Sequence, residues 1–243
     1  SNCRRSVMSR KIKTQPTSGA STAASGTGTI SINYTGLGFN GVESFTVEIC
    51  DNGGLCAVAT ITVTMTNSPP FFDDVSIGTV AGGIASIDLS ALLKDSDSNQ
   101  LYESISLVSD PMSGANTSIG SDHVLTMSYS GLSFTGEDMI EVKGCDIAGA
   151  CDAAYITVSV TNTPPELHEG NSSVKFGGIA TINITPLISD ADNNLELSTL
   201  KIIGQPPSGA QALIGAGNSI TIDYSNIPFA GAEKIRVEVC DVA

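Results

Sequence analysis

The sequence is poor in the residues on which most catalytic and many ligand-binding sites rely. It contains no Trp, two His, and aromatic residues at only 5 %. So few histidines leave little for a nucleophile–base pair or a zinc site to draw on, and the lack of Trp weighs against a face that stacks sugars. Basic residues are scarce as well: 11 Lys and Arg stand against 25 Asp and Glu, a formal charge of −14. Five of the basic residues (Arg4, Arg5, Arg10, Lys11 and Lys13) precede Thr14, and the six that follow face every acidic residue of the chain. Such a surface repels nucleic acid and anionic lipid and attracts cations. No apolar run approaches the roughly 18 residues that cross a bilayer, and the first residues lack the apolar core of a signal peptide. An export signal or anchor is therefore expected outside these residues.

What the chain does contain is repetition. Cys50, Cys145 and Cys240 are each followed by Asp and stand 95 residues apart. Gln15-Pro16-Thr17-Ser18-Gly19-Ala20, Asp110-Pro111-Met112-Ser113-Gly114-Ala115 and Gln205-Pro206-Pro207-Ser208-Gly209-Ala210 keep the same step. So do Tyr34, Tyr129 and Tyr224, the phenylalanines Phe39, Phe134 and Phe229, and the glycines Gly41, Gly136 and Gly231. The seams read Asn67-Ser68-Pro69-Pro70 and Asn162-Thr163-Pro164-Pro165, and Pro-Pro makes each a short, stiff linker. A fixed period of this length means tandem units rather than one large domain. The expected division is 1–70, a repeat lacking its first strands; 71–165, a complete repeat; and 166–243, a repeat lacking its last strand. Residues 1–10 align poorly with the other copies. The partner of Cys240 falls three residues past Ala243, so the pattern is expected to run on.

Short Val/Ile/Thr runs separated by Gly, Pro and Asn/Asp turns indicate an all-β fold. Each unit has the size of an immunoglobulin-like (Ig-like) sandwich. In the complete unit strands are predicted over Val75–Val80, Ile84–Leu89, Leu101–Val108, Ala115–Ile119, Val124–Tyr129, Met139–Lys143 and Ala153–Val160, seven in all, as a Greek-key sandwich requires.

Parity along the last hairpin decides the cysteines. Phe45, Val47 and Ile49 share one face, and Cys50 lies on the other. On the return strand Ala57, Ala59, Ile61, Val63 and Met65 share a face that excludes Cys56. Both sulfurs thus point away from the core across a five-residue turn, at a separation a bridge spans. The pattern predicts disulfides Cys50–Cys56 and Cys145–Cys151, each contributing ~2 kcal/mol by loop entropy, and an oxidising, exported setting. Zinc is the alternative, but it wants added His, and His123 and His168 do not recur with the repeat. A redox pair would be Cys-x-x-Cys, which this is not. Cys3 has no counterpart and is expected as a free thiol.

A second repeated feature is Asp95-Ser96-Asp97-Ser98-Asn99, matched by Asp190-Ala191-Asp192-Asn193-Asn194. Alternate carboxylates and an amide in a turn offer hard oxygens at a spacing Ca²⁺ accepts. An EF-hand is excluded, because Gln100 and Ser106, or Leu195 and Lys201, stand where its Gly and Glu belong. The competing account is turn chemistry, since Asp and Asn also cap turns through backbone hydrogen bonds. Tyr34, Tyr129 and Tyr224 close alternating runs and are expected at the core edge, with their hydroxyls on the backbone.

Seam, Asp-x-Asp loop, Tyr-Ser/Thr-Gly-x-x-Phe-x-Gly segment and Val-x-x-Cys-Asp hairpin together resemble the cadherin-like and Ig-like tandem repeats of bacterial cell-surface adhesins, in particular the giant repeat proteins of gliding bacteria. The resemblance covers essentially the whole chain. It implies Ca²⁺ at the unit junctions, held by Asn67 with Asp95, Asp97 and Asp146 and by Asn162 with Asp190, Asp192 and Asp241. The preceding unit would add Glu43 or Asp138, which recur with Glu233. The linkers lack the acidic cluster of a cadherin, which implies weaker or absent Ca²⁺. The expected role is a non-enzymatic, extracellular stalk whose partners are its own neighbouring repeats. Other copies of the chain or surface glycans and proteins are further partners, with no nucleic acid and no membrane insertion. A self-assembling filament subunit and a glycan-binding accessory module are the rivals.

Overall fold

The computed structural model describes residues 7–242. Cys3 and most of the poorly aligning first ten residues lie outside that range. Every ladder joins strands from the same sequence repeat.

The second repeat is the complete pattern. It runs through β6 (Phe71–Phe72), β7 (Val75–Val80), β8 (Ile84–Asp88), β9 (Leu93–Lys94), β10 (Gln100–Leu107), β11 (Asn116–Ile119), β12 (Val124–Ser128), β13 (Gly136–Asp146) and β14 (Cys151–Thr161). One sheet has the order β10-β13-β14-β7 and the other β11-β12-β8, with β6 and β9 forming a small ladder at the end. All seven predicted strands are present, with shifts of a residue or two at most ends and an extension of β13 in both directions.

Alternation builds these strands. Along β12 the inward residues Leu125 and Met127, and Tyr129 just beyond, are completely buried, while Thr126 and Ser128 take the opposite side. On β13 the inward set is Asp138, Ile140, Val142, Gly144 and Asp146, with Met139 turned to solvent. On β14 it is Ala154, Ile156, Val158 and Val160, with Tyr155 outward. Each large apolar side chain buried this way contributes about 1.5–3 kcal/mol, and the two inner faces merge with Leu89 and Leu93 into one core. β14 pairs with β13 antiparallel and with β7 parallel, the latter over six positions from Ile156↔Val75 to Thr161↔Val80. First and last long strands of the unit are therefore side by side.

The first repeat contains β1 (Val7–Ile12), β2 (Ser21–Ala24), β3 (Ile30–Asn33), β4 (Gly41–Asp51) and β5 (Cys56–Met65), with β1-β4-β5 in one sheet and β2-β3 in another. β1 takes the place of β10. Ile12 sits opposite Val47, as Leu107 sits opposite Val142 one period later, although the sequences of the two strands are unalike. The third repeat contains β15 (Glu166–Leu167), β16 (Ile179–Asn183), β17 (Ile188–Ser189), β18 (Leu195–Gly204), β19 (Gln211–Gly215), β20 (Ser219–Asp223) and β21 (Arg236–Asp241). Its segment 170–175 corresponds to β7 but forms no strand. In the second repeat β14 holds that segment, and no described residue of the third plays this part.

Both disulfides are formed as expected, Cys50–Cys56 and Cys145–Cys151, each between directly opposed residues with Cα atoms 4.0 Å apart. Cys240 is unbridged.

Candidate metal centre at the repeat junctions

Two polar networks lie at the seams and repeat almost bond for bond. In the first, the turn at Asp95–Asn99 is closed by Asp97 N–H donating to Asp95 Oδ1 at 2.6 Å. The linker enters through Ser68 N–H, which donates to Asp97 Oδ2 at 2.6 Å, and through Asn67 Nδ2, which donates to Asp146 Oδ2 at 2.7 Å. Asn99 Nδ2 donates to Asn67 Oδ1 at 2.8 Å, and Ile147 N–H donates to Asn99 O at 3.0 Å. In the second, Asp192 N–H donates to Asp190 Oδ1 at 2.8 Å, Thr163 N–H to Asp192 Oδ2 at 2.5 Å and Asn162 Nδ2 to Asp241 Oδ2 at 2.9 Å. Asn194 Nδ2 donates to Asn162 Oδ1 at 2.8 Å, and Val242 N–H to Asn194 O at 3.1 Å. The ten residues named from the sequence thus fall into two clusters of five, Asn67, Asp95, Asp97, Asn99 and Asp146 in one and Asn162, Asp190, Asp192, Asn194 and Asp241 in the other.

Neighbouring repeats touch at the same places. Asn194 Nδ2 also reaches Ala81 O of the preceding repeat at 3.3 Å. Ser133 Oγ donates to Val242 O at 2.5 Å. One period earlier, Gly38 packs so tightly on Ile147 that an added Cβ would fall 2.1 Å from Ile147 O. A backbone carbonyl such as that of Ala81 carries no signal in the sequence.

Turn chemistry accounts for much of this network but not for all of its oxygens. At the second seam Asp190 Oδ2 and Asn194 Oδ1 are buried without any hydrogen-bond partner. The Asn194 amide is held in that orientation by the two acceptors on its nitrogen, Asn162 Oδ1 and Ala81 O. At the first seam the Asn99 amide, turned over, donates to both carboxylate oxygens of Asp95 at 2.9 and 3.0 Å, so turn chemistry satisfies that pair. A buried unpaired oxygen costs about 1–3 kcal/mol, and a hard cation relieves several at once. The donor set, carboxylate and amide oxygens only, therefore fits Ca²⁺. Asp190 with Asn194 would hold it, with Asp95 and Asn99 in the same places at the first seam, and the cation would supply charge neutralisation and a bond common to linker and loop. Asp146 has a prior commitment, because its Oδ1 accepts from Ala150 N–H at 2.9 Å while Oδ2 takes Asn67. Among the described residues the carboxylates of neither seam form a group of three His, Cys, Asp or Glu ligand atoms within 4.8 Å of one another, and the one such group is Glu48 with Cys50 and Cys56. Its sulfurs are bonded to each other and Glu48 is ion-paired to Lys11 and Lys13, so it is no metal site.

Glu43, Asp138 and Glu233 are not at the junctions. Their side chains turn into their own sandwiches, where each fixes the Pro-x-Ser-Gly-Ala turn. Asp138 is 1 % exposed; Ser113 Oγ donates to its Oδ2 at 2.5 Å and Tyr129 Oη to the same oxygen at 3.1 Å. Ser18 and Ser208 bind Glu43 and Glu233 through both N–H and hydroxyl. The tyrosines do occupy the core edge, each stacked on the phenylalanine five residues on, but the Tyr129 hydroxyl goes to a carboxylate rather than to backbone. Parity explains the change: these acids stand two residues after Gly41, Gly136 or Gly231, in phase with inward Phe45, Ile140 and Ile235. The Tyr34 hydroxyl is buried without a partner in hydrogen-bonding range, and burial beside Glu43 pushes its ionisation up to about 12. Burial and the Glu233 carboxylate do the same to Tyr224, again to about 12.

Residues 6–64 match the family model described as bacterial Ig domain. That match lies within the first repeat, and the described residues of all three repeats form β-strands joined by turns and two short 3-10 helices. No curated protein sequence matches it. Solved structures that resemble it include an endo-fucoidan hydrolase of glycoside hydrolase family 107, at 12 % identity and TM-score 0.35, covering 97 % of this chain and 37 % of that one. The protocadherin gamma-B4 extracellular domain gives 13 % and 0.31, covering 92 % and 38 %. N-cadherin EC1-4 of Drosophila gives 16 % and 0.29, covering 90 % and 58 %. The chain spans well under two thirds of each of these proteins, and likeness at such TM-scores carries no argument.

Proposed function

We propose that the chain is a run of spacer repeats in the stalk of an extracellular or surface-anchored bacterial adhesin, joined by Ca²⁺-stiffened seams and projecting a binding region carried elsewhere. The bacterial Ig match and the two disulfides support the extracellular, structural part of this reading. The observation that carries the rest is the junction itself, built twice at one period from the same linker Asn, the same acidic loop and the same hairpin turn, with buried oxygens left without a partner at the second. A strand as long as β14, of 11 residues, runs about 36 Å at ~3.3 Å per residue. Units in series therefore cover distance cheaply, with stability summed over units and junctions. The role requires no catalysis.

Calorimetry with CaCl₂ tests it: heat of binding near two sites per chain, a higher melting temperature, and loss of one site each in Asp95→Ala and Asp190→Ala are expected. Neither heat nor a melting shift would remove the cation from the proposal.

A further inference from the structure

The disulfides bracket the turn on which the neighbouring repeat rests. Between Cys145 and Cys151 lie Asp146 to Ala150, and this turn supplies three contacts of the first seam. Asp146 Oδ2 accepts from Asn67 Nδ2 at 2.7 Å, Ile147 N–H donates to Asn99 O at 3.0 Å, and Ile147 O lies against Gly38 of the repeat before. The core of the sandwich is elsewhere, in Leu125, Met127, Tyr129, Ile140, Val142 and Ile156, none of which belongs to the turn. Cys145 and Cys151 are the last of ten consecutive opposed pairs between β13 and β14, from Gly136↔Val160 onward. A bridge at the open end of so long a ladder adds little to a register that the buried pairs already fix. It acts chiefly on the five residues it encloses, by limiting what the turn can do when nothing else holds it. Cys151 is exposed and Cys145 half-buried, so the bridge is within reach of a small reductant.

We infer that the Cys145–Cys151 bridge is a redox-sensitive clasp on the seam between repeats rather than a staple of the sandwich. Oxidised, it keeps residues 146–150 in the shape that receives the linker and the preceding repeat. Reduced, the turn opens and the two repeats uncouple while each sandwich stays folded. The step is a thiol–disulfide exchange. A dithiol supplies two electrons and two protons, the S–S bond breaks to two thiols, and the dithiol closes to its own disulfide. A stalk carrying such clasps is stiff in oxidising surroundings and slack in reducing ones. The inference rests on the spacer reading only in requiring that repeats meet at this turn, and it needs no cation.

Amide hydrogen exchange on the full chain, with a chelator present throughout, tests it. The samples are the oxidised chain, the chain reduced with dithiothreitol, the double variant Cys145→Ser/Cys151→Ser, and the control Cys50→Ser/Cys56→Ser. The amides of Ser68 and Ile147 should exchange at least about tenfold faster once the Cys145–Cys151 bridge is lost, by either route. Leu125, Val142 and Ile156 should change less than about twofold. The control bridge encloses a turn of the first repeat and should leave Ser68 and Ile147 as they are in the oxidised chain. Unchanged exchange at Ser68 and Ile147 without the bridge overturns the inference, and so does an equal rise at the core amides. Failure of the spacer reading looks different, because small-angle scattering would then show the first two repeats moving independently even in the oxidised chain.

Discussion

Replacing Asp138 with Ala should be among the most damaging single changes in the second repeat, although it removes a charged residue. The side chain is 1 % exposed and accepts from Ser113 Oγ, Tyr129 Oη, Ser113 N–H and Met139 N–H. Tyr129 is completely buried, so its hydroxyl has no water to turn to, and an unmade buried hydrogen bond costs about 1–3 kcal/mol. Ser113 is half-buried and loses a charge-assisted bond, worth about 1.5–3 kcal/mol where the loss is complete. Partial recovery by water at Ser113 brings the sum to roughly 3–5 kcal/mol. Tyr129→Phe deletes one donor and leaves the carboxylate on Ser113, so it should cost roughly 1–2 kcal/mol. The assay is hydrogen exchange in a urea series, reading the β13 amides, which follows this repeat separately from its neighbours. Because Asp138 is inside the sandwich, calorimetric heats with CaCl₂ should be the same in both variants and the parent. A cost below about 1 kcal/mol for Asp138→Ala, or equal costs for the two variants, would refute the clamp. Loss of Ca²⁺ heat in a folded Asp138→Ala chain would return the residue to the junction.

Acid and alkali should act on the end repeats through the same clamp. Burial raises the Glu43 and Glu233 pKa values, but hydrogen bonds from Ser18, and from Tyr224 and Ser208, outweigh it and the net shift is downward. A lowered folded pKa gives stability that is present above the ordinary glutamate value of 4.5 and is lost as the pH falls through the folded value. Protection of the Ala20 and Ala210 amides, taken relative to the intrinsic exchange rate at each pH, should therefore fall on acidification below 4.5. Tyr34 and Tyr224 are shifted the other way, so their share is complete below pH 10.0 and lost as the pH rises through about 12, visible as late tyrosinate absorbance. Gly38→Val should separate the first two repeats without melting either, since its Cβ has no room against Ile147 O at 2.1 Å. Small-angle scattering should then show a broader distribution of interdomain distances at an unchanged melting temperature.

Period-two alternation made the strands legible, because wherever one face is buried the residue types cannot slip by one position. Leu125, Met127 and Tyr129 announce β12 for that reason. The same parity locates the disulfides and, applied to Asp138, turns it inward, whereas recurrence with the repeat alone points to metal. β1 was illegible. As an edge strand it presents little that its sequence must satisfy, and its ladder with β4 is main-chain bonding that Ser9, Arg10 and Lys11 make as well as any residues. The junction clusters were readable as clusters, since side-chain oxygens define them. The Ala81 carbonyl and the linker N–H groups of Ser68 and Thr163 were not, because backbone groups are the same at every position.

The parallel pairing of β7 with β14 decides how a repeat bears load. Tension applied along the chain would enter at the start of β7 and leave at the end of β14, and with the two strands parallel these points lie at opposite ends of the ladder. Pulling therefore slides one strand along the other, and the bonds from Ile156↔Val75 to Thr161↔Val80 are stressed together rather than peeled in turn. Each complete repeat is a shear joint, and its resistance to force grows with the length of that ladder.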